Sequence, residues 1–226
     1  MNRIDAPGTA EADWRAWPGL DALPELDVTR WRSAVIVAAH PDDEVLGAGG
    51  LIAVLAERGV RLRLVAVTDG ESSHPDEPPA RIAAVRVAET EKALTHLGAC
   101  ETIRLGMPDA GVDEIALTPR LRELAAGFDV CLAPWEHDAH RDHEAAGRAA
   151  LACGAPEVLR FPIWAWHWAR PADARVPWDR AVRVPLGTGL QARKRSAIGC
   201  FASQLGTILP PATVEHFTRD AEVLIR

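Results

Sequence analysis

Two clusters of histidine and carboxylate residues stand out in this sequence, about one hundred positions apart. The first reads Ala-His-Pro-Asp-Asp-Glu over residues 39–44, and the second reads His-Arg-Asp-His-Glu over residues 140–144. Three consecutive carboxylates repel one another and resist burial unless a cation balances them. Histidine nitrogen and carboxylate oxygen are typical ligands of zinc and similar ions. The two clusters therefore predict a divalent-metal site, provided that the fold brings them together.

The spacing within the clusters suggests a ligand set. A catalytic zinc site uses three protein ligands and leaves one position for water. His40, one of the two residues Asp42 and Asp43, and His143 would supply such a set. His140 lies three residues before His143 near a predicted helix start, so the two rings can face the same way.

The elements that must position these clusters alternate between short apolar runs and longer periodic segments. The runs predict strands over residues 34–39, 61–68, 102–105, 128–133 and 158–163. The periodic segments predict helices over residues 51–58, 80–97, 118–126 and 142–152. This alternation predicts a Rossmann-like α/β fold, with a mostly parallel sheet and helices on both faces in three layers. Ligands of such sheets bind at the carboxyl ends of strands, which is where both clusters fall.

Glycine and proline set two of the expected helix starts. Gly47-Ala-Gly-Gly50 precedes the first helix, which we expect to begin at Leu51. Thr118 is expected to cap the third helix, with Pro119 at its first position. After Pro171 we expect a Val-rich segment over 180–186, a helix over 189–202 and an apolar tail over 221–225.

Composition limits the class of protein. A length of 226 residues predicts one domain over residues 1–226, with residues 1–30 as an extension packed on the core. A formal charge of −7 argues against nucleic acid as a partner, and the run from Ala34 to Ala39 is far too short to span a membrane. Four widely spaced cysteines and a start without an apolar leader core predict reduced thiols and a cytoplasmic location. A homo-oligomer stays open.

The two clusters resemble those of the PIG-L (LmbE-like) family of zinc-dependent N-acetylglucosamine-type deacetylases. Further similarity lies in Thr68-Asp-Gly70, in Arg86-x-x-Glu89, and in Lys194 followed by Ser203-Gln204. The resemblance covers most of residues 34–204. It implies a Rossmann-like fold, a small-molecule N-acyl amino-sugar substrate and a Zn²⁺ cofactor. By the chemistry of the ligands, Fe²⁺ or another divalent ion can occupy the same set.

The resemblance also implies a role for each matched residue. Three residues would bind the metal: His40, Asp43 and His143. Asp42 would act as the general base. His140 would polarise the amide oxygen or protonate the leaving amine, and Asp142 would orient His140. Some members carry a tyrosine where this chain has Asp138, so the contribution of that phenol to the oxyanion must come from elsewhere or be missing here.

Two further residues are candidates for binding substrate. Arg86 can pair with Glu89 on the surface of its helix. By the resemblance, it can instead reach a sugar hydroxyl or a phosphate. Asp109 follows the third predicted strand at the same edge of the sheet, and we expect it to bind sugar hydroxyls.

A tryptophan-rich stretch, Trp164-Ala-Trp-His-Trp168, has two readings. Its alternate tryptophans predict one face of a strand packed on the core. The other reading is an aromatic wall for a sugar ring or an acyl group, with His167 at its rim.

Two other functions compete with a metal-dependent hydrolase. A nucleotide-binding Rossmann protein is suggested by Gly47, Gly49 and Gly50, but the third glycine of the fingerprint would fall on Ile52. A non-haem Fe(II) oxygenase can use the same histidine and carboxylate ligands. Those oxygenases are usually all-β, whereas this chain alternates helices and strands. The residues therefore favour a metal-dependent hydrolase, and the family resemblance implies that it removes an N-acyl group, most simply acetyl, from an amino sugar or its conjugate.

Overall fold

A seven-stranded sheet with helices on both faces forms the centre of the protein, in a computed structural model that describes residue 4, residues 7–98 and residues 100–226. The strands are β1 Ser33–Ala38, β2 Arg61–Ala66, β3 Glu101–Arg104, β4 Val130–Pro134, β5 Glu157–Phe161, β6 Ala181–Pro185 and β7 Ala221–Ile225. The helices are α1 Glu11–Ala16, α2 Asp43–Glu57, α3 Pro79–Leu97, α4 Glu114–Ala125, α5 Arg141–Leu151, α6 Ala165–Trp168, α7 Thr188–Ile198 and α8 Pro211–Glu215. The predicted three-layer α/β fold with a mostly parallel sheet is confirmed.

The strand order places the ends of β1 and β4 side by side. The sheet runs β3-β2-β1-β4-β5-β7-β6, with β1 to β5 parallel and β7 antiparallel to both β5 and β6. The order reverses between β1 and β4, which pair from Ala34 with Val130 onward. Such a switch point opens a crevice at the carboxyl ends of the strands. The two His/Asp clusters follow these two strands, so the topology brings them together.

Side chains on β1 alternate between two hydrophobic clusters. Ala34, Ile36 and Ala38 face the layer formed by α2, α3 and α7. Val35 and Val37 face the layer formed by α4 and α5. All six residues of β1 are buried, as expected for a central parallel strand covered on both faces.

The helix after β1 begins eight residues earlier than predicted. α2 starts at Asp43 and contains the glycines, with a kink at Ala48 (φ −142°, ψ 17°). A Cβ at Gly47 would lie 2.1 Å from the Phe161 ring, and one at Gly50 would lie 2.4 Å from Leu186. These glycines therefore permit close helix packing rather than forming a loop. The predicted helix began too late because the sequence does not show that Phe161 and Leu186 pack against these glycines.

The start of α4 and the form of the tryptophan-rich stretch also differ from the predictions. α4 begins at Glu114 because Asp113 supplies the cap, its carboxylate accepting a hydrogen bond from Ile115 N at 2.9 Å. Pro119 therefore lies inside the helix rather than at its first position. Of the two readings of the tryptophan-rich stretch, the strand face is wrong, since Ala165–Trp168 form the short helix α6.

The segment before β1 packs on the core over its described part. Trp14, Leu23 and Leu26 belong to the larger hydrophobic cluster. The remainder of the predicted extension, residues 1–3, 5 and 6, lies outside the described residues. All four cysteines are free thiols. Within the described part of the chain, no helix combines the length and apolar character that crossing a membrane requires.

Candidate active site

The first cluster occupies a strained turn between β1 and α2. Asp42 has φ 122°, a backbone conformation that residues other than glycine rarely adopt. Its carbonyl accepts hydrogen bonds from Val45 N and Leu46 N at 2.9 Å, which begins the helix. The His40 amide donates to the Asp43 carboxylate at 2.9 Å. Strained backbone of this kind concentrates at functional sites, where the surrounding structure holds it in place.

The second cluster lies at the start of α5. His140 is the N-cap residue, and its Nδ1 accepts a hydrogen bond from Asp142 N at 3.3 Å. His143 follows in the first turn and is fully buried. The cap therefore fixes His140 and His143 relative to each other on one helix terminus.

The two clusters meet at a single point. His40 Nδ1 and His143 Nε2 lie 3.2 Å apart. Asp43 Oδ1 lies 3.2 Å from His143 Nε2, and Asp43 Oδ2 lies 3.7 Å from His40 Nδ1. Ligand atoms around a tetrahedral zinc ion are separated by about 3.3 Å, given bonds of about 2.0–2.1 Å. The three side chains thus have the spacing of a metal ligand set.

Hydrogen bonds on the far side of each ring leave the inner nitrogens free as ligands. His143 Nδ1 lies 2.8 Å from the Asp138 carboxylate. His40 Nε2 lies 3.2 Å from both the Asp109 and the Asp142 carboxylates. Carboxylates accept hydrogen bonds, so these nitrogens carry the protons. When the rings are neutral, as metal ligation requires, the lone pairs of His40 Nδ1 and His143 Nε2 face the same point, as in carboxylate–histidine–zinc arrangements.

The charge of the site also suits a cation. The carboxylates of Asp42, Asp43, Asp109, Asp138 and Asp142 surround the two ligand rings. Arg86 is the guanidinium that lines the same cavity. Burial lowers the pKa of both rings, but the neighbouring carboxylates outweigh burial and raise the pKa of His40 to about 9 and of His143 to about 10. The same excess of negative charge attracts a divalent ion.

Asp138 is a site residue that sequence reasoning did not select. It is fully buried, and its carboxylate accepts hydrogen bonds from the amides of Ile163, Trp164 and Ala165 at 2.8–3.0 Å, besides its contact with His143. The available signal was an aspartate five residues before a suspected ligand histidine. Its partners follow β5, so only the folded chain shows what it holds.

Asp142 and Asp109 lie at the site with contacts that differ from the expectations. The Asp142 carboxylate accepts from Ala110 N at 2.8 Å and Val112 N at 3.1 Å and contacts the His40 ring. Only its backbone amide reaches His140. The Asp109 carboxylate accepts a hydrogen bond from Ser72 N at 2.9 Å with one oxygen and contacts His40 with the other. Both oxygens therefore have partners within the protein.

Asp42 and Arg86 lie side by side next to the ligand set. Burial raises the pKa of Asp42 to about 7, although Arg86 Nη2 lies only 3.5 Å from its carboxylate. Arg86 is buried and donates to the carbonyls of Pro41 at 2.8 Å and Gly70 at 3.1 Å. It therefore ties the loops after β1 and β2 together. Glu44 is fully buried behind them, and burial raises its pKa to about 8.

His140 is held as a neutral hydrogen-bond donor. Its Nδ1 accepts from a backbone amide, so the proton of the neutral ring lies on Nε2. Burial, followed by the nearby rings of His143 and His40, lowers the pKa of His140 to about 3. The ring packs against His40 at 4.8 Å and lines the cavity.

A cavity of about 230 Å³ opens onto these residues. Its apolar wall is formed by five side chains: Leu46, Ile163, Trp164, Ile208 and Leu209. Trp166 is instead buried in the core, where its ring contacts Trp14 at 5.0 Å. The two readings of the tryptophan-rich stretch therefore apply to different residues, with Trp164 at the cavity and Trp166 in the core.

The fold and the site together define a class, a Rossmann-like α/β protein whose switch point carries a buried His₂–carboxylate cluster beside a small cavity. The sequence profile described as PIG-L, GlcNAc-PI de-N-acetylase, matches residues 35–153. The chain belongs to this family.

Two curated relatives and one solved structure illustrate the similarity. The 1D-myo-inositol 2-acetamido-2-deoxy-alpha-D-glucopyranoside deacetylase of Segniliparus rotundus is 36% identical over 228 residues, covering 84% of this chain and 69% of that protein. The enzyme designated deacetylase 1 for the same compound in Catenulispora acidiphila is 29% identical over 207 residues, covering 77% of this chain and 64% of that protein. The chain thus spans about two thirds of the length of these relatives.

The fold likeness extends over nearly the whole chain. The N,N'-diacetylchitobiose deacetylase from Pyrococcus horikoshii, solved in complex with its inhibitor MPG, gives a TM-score of 0.63 at 22% identity. The match covers 91% of this chain and 81% of that one. At this identity the likeness supports the shared fold alone.

Proposed function

We propose that this protein is a metal-dependent hydrolase that removes an N-acyl group, most simply acetyl, from an amino sugar or amino-sugar conjugate. The observation that carries the proposal is the convergence of His40, Asp43 and His143 within 3.2–3.7 Å of one another, directly beside Asp42. Membership of the PIG-L family supports the same reaction, because its matched relatives are named as deacetylases.

The proposed substrate carries an acetamido sugar. The two curated relatives are named for a 2-acetamido-2-deoxy-glucopyranoside linked to inositol. The cavity of about 230 Å³ is smaller than the pockets of about 300–1,000 Å³ that enclose drug-sized ligands. It therefore suits one sugar ring with its acyl group, and the rest of a conjugate would lie outside. Trp164 lines the cavity, and its indole would pack against the sugar ring.

The proposed cofactor is Zn²⁺, held by His40, Asp43 and His143. Two imidazoles and one carboxylate fit zinc, and Fe²⁺ can occupy the same donor set. When bound, such an ion polarises the amide carbonyl and lowers the pKa of water in the site.

Asp42 is the proposed general base. Its carboxylate lies beside Arg86 in the cavity that the ligand residues also line, and burial raises its pKa to about 7, which suits a group that both accepts and returns a proton near neutral pH. It takes a proton from the attacking water. It then delivers that proton to the departing nitrogen, so that one water and one amide yield a carboxylic acid and an amine.

His140 is proposed to stabilise the negative charge that develops on the amide oxygen. Its Nδ1 is occupied by the Asp142 amide, so Nε2–H is free to donate into the cavity. Of the two roles expected for His140, this favours polarising the oxygen over protonating the amine. Arg86 holds the Pro41 carbonyl and accompanies Asp42, which makes it a positioning residue in this proposal rather than a sugar contact.

Three substitutions test these roles on purified protein, with metal content and amine release measured on the same samples. Asp42→Asn should abolish release of free amine from N-acetylglucosamine conjugates and keep the metal. His143→Ala should lose both metal and activity. His140→Ala should keep the metal and lower the rate by about 10²–10³-fold. Loss of metal from Asp42→Asn would exchange the roles of Asp42 and Asp43, and an unchanged rate for His140→Ala would remove it from the mechanism.

The two alternatives gain no support. Gly47 and Gly50 lie inside α2 against Phe161 and Leu186, so their backbone is not available to cradle a phosphate. An Fe(II) oxygenase would share the ligands, and metal analysis with oxygen uptake would separate it from a hydrolase that releases amine.

We further propose that residues 1–226 act as one domain in the cytoplasm. The four free thiols support a reducing compartment. The proposed partner is a small molecule. The negative formal charge of −7 argues against nucleic acid.

A further inference from the structure

The segment before β1 is connected by a series of hydrogen bonds to the candidate metal centre, which is formed by His40, Asp43 and His143. Within it, Thr9 N donates to the His167 carbonyl at 2.8 Å, and Thr9 Oγ1 donates to the Ala169 carbonyl. Trp14 Nε1 donates to the Trp166 carbonyl at 2.9 Å. A helix as short as α6 leaves most of its carbonyls without partners of its own. Residues 9–14 supply donors to three carbonyls in and just after α6.

The other end of α6 is attached to Asp138. The amides of Ile163, Trp164 and Ala165, at and just before the start of α6, all donate to its carboxylate. Trp168 Nε1 also donates to the Asp138 carbonyl at 3.1 Å. The position of Asp138 is therefore set by α6 through both its side chain and its backbone.

Asp138 in turn orients a ligand of the candidate metal centre. Its Oδ2 lies 2.8 Å from His143 Nδ1, which directs Nε2 towards His40 Nδ1 and Asp43. Carboxylates placed behind a ligand histidine fix the ring orientation and strengthen the ligand. A shift of α6 would be transmitted to the His143 ring through this one hydrogen bond.

The segment is itself firmly held. Glu11 is buried and accepts hydrogen bonds from Arg219 at 2.6–3.1 Å, and the Arg219 guanidinium lies 4.1 Å from the centre of the Trp166 ring. Trp14 is fully buried against Trp166 and Trp178. These residues lie outside 35–153, the part of the chain that the family profile matches.

We propose that residues 9–14 are a positioning element of the metal centre, which holds α6 and, through α6 and Asp138, sets the orientation of His143. The proposal rests on the proposed metal site. It predicts that loosening this segment weakens metal binding even in protein that stays folded.

Trp14→Phe tests the proposal, with Trp31→Phe as the matched control. Both indoles are buried in the same hydrophobic cluster, and each donates one hydrogen bond, Trp14 to the Trp166 carbonyl and Trp31 to Glu157. Trp31 contacts the start of β5, at the opposite end of the strand from the site. Dissociation constants for Zn²⁺ are measured by competition with a chromophoric chelator, and the visible spectrum of the Co²⁺ form reports ligand geometry.

We expect Trp14→Phe to weaken Zn²⁺ binding by about three- to tenfold and to change the Co²⁺ spectrum, whereas Trp31→Phe leaves both unchanged. Asp138→Asn, the direct contact, should weaken binding by about 10–100-fold. If Trp14→Phe does not fold, Thr9→Val removes one donor from the same segment without a large cavity and should weaken binding in the same direction.

Equal Zn²⁺ affinities for the wild type and the folded variant of the segment would overturn the proposal, as would equal losses in Trp14→Phe and Trp31→Phe. A wild-type protein that binds neither Zn²⁺ nor Co²⁺ would instead refute the metal centre itself. The two failures are therefore distinguishable in one experiment.

Discussion

Breaking the buried ion pair between Lys194 and Glu222 should cost much stability, because both side chains hydrogen-bond to backbone groups at the kink in α2. Lys194 Nζ donates to the Leu46 carbonyl at 2.8 Å and to Glu222 at 2.6 Å. Glu222 accepts from Gly50 N at 2.6 Å and Leu51 N at 2.8 Å. The pair thus satisfies backbone groups on both sides of the kink that the helix cannot pair internally.

Replacing Lys194 with Met keeps most of the volume and removes the charge. Lys194 is 3% and Glu222 is 4% exposed, so the variant leaves a carboxylate buried without its cation and the Leu46 carbonyl without its donor. Breaking a buried pair in this way costs about 3–5 kcal/mol. For a chain of this length, each kcal/mol corresponds to about 2–4 °C in Tm, so the midpoint should fall by about 6–20 °C.

The assay is urea denaturation of chelator-treated protein at pH 7, so that metal binding does not contribute to stability. Arg81→Met is the control, because the Arg81–Glu77 pair is exposed at 68% and 41% and should contribute less than about 0.5 kcal/mol. The variant Lys194→Met/Glu222→Gln should lose less than the sum of its single changes, since it no longer buries an unpaired charge. A loss for Lys194→Met no larger than that for Arg81→Met would refute this account of the kink.

Three further predictions concern other parts of the fold. Burial raises the pKa of Glu11, but hydrogen bonds from His216 and Arg219 outweigh it and lower the pKa from 4.5 to about 2. The charged form therefore contributes up to about 3 kcal/mol above pH 4.5, and the stability difference between wild type and Glu11→Gln should shrink as pH falls towards 2. Asp42→Gly should be inactive, yet more stable than Asp42→Ala by about 1–3 kcal/mol in the metal-free protein, because glycine tolerates φ 122°. Gly147→Ala should lose about 1–3 kcal/mol and weaken Zn²⁺ binding, because its Cβ would lie 2.6 Å from the Pro134 carbonyl oxygen and push α5 away.

Each of these has a clear contrary result. Urea titrations between pH 2 and 7 would contradict the first prediction if the unfolding free energies of wild type and Glu11→Gln differed by the same amount at every pH. The charge of Glu11 would then not contribute to stability. Equal unfolding free energies for Asp42→Gly and Asp42→Ala would remove backbone strain from the site. For Gly147→Ala the control is Gly187→Ala, whose Cβ meets nothing within 4 Å, and equal stability of the two variants would contradict the packing argument.

Local pattern was enough to predict the layers of the fold and the residues that gather at the cavity. Apolar runs and periodic segments identified β1 to β5 and most of the helices, because a strand covered on both faces must be apolar along its length. The parallel topology then required the loops after β1 and β4 to share one edge. His40, Asp43 and His143 could be selected because their chemistry is unusual at any single turn, and family resemblance separated the expected roles of Asp42 and Asp43.

Tertiary structure decided everything that depends on a partner distant in the chain. The glycines of α2 are helical because Phe161 and Leu186 pack against them, and Asp138 became a site residue because the amides after β5 converge on it. The Asp142 carboxylate contacts the His40 ring, and it is the backbone amide of Asp142 that donates to the His140 ring, because loop 109–112 positions the carboxylate. A one-dimensional pattern records which side chains are apolar or charged. It does not record which backbone group will stand opposite each of them, and hydrogen bonds of about 3 Å are set by that placement alone.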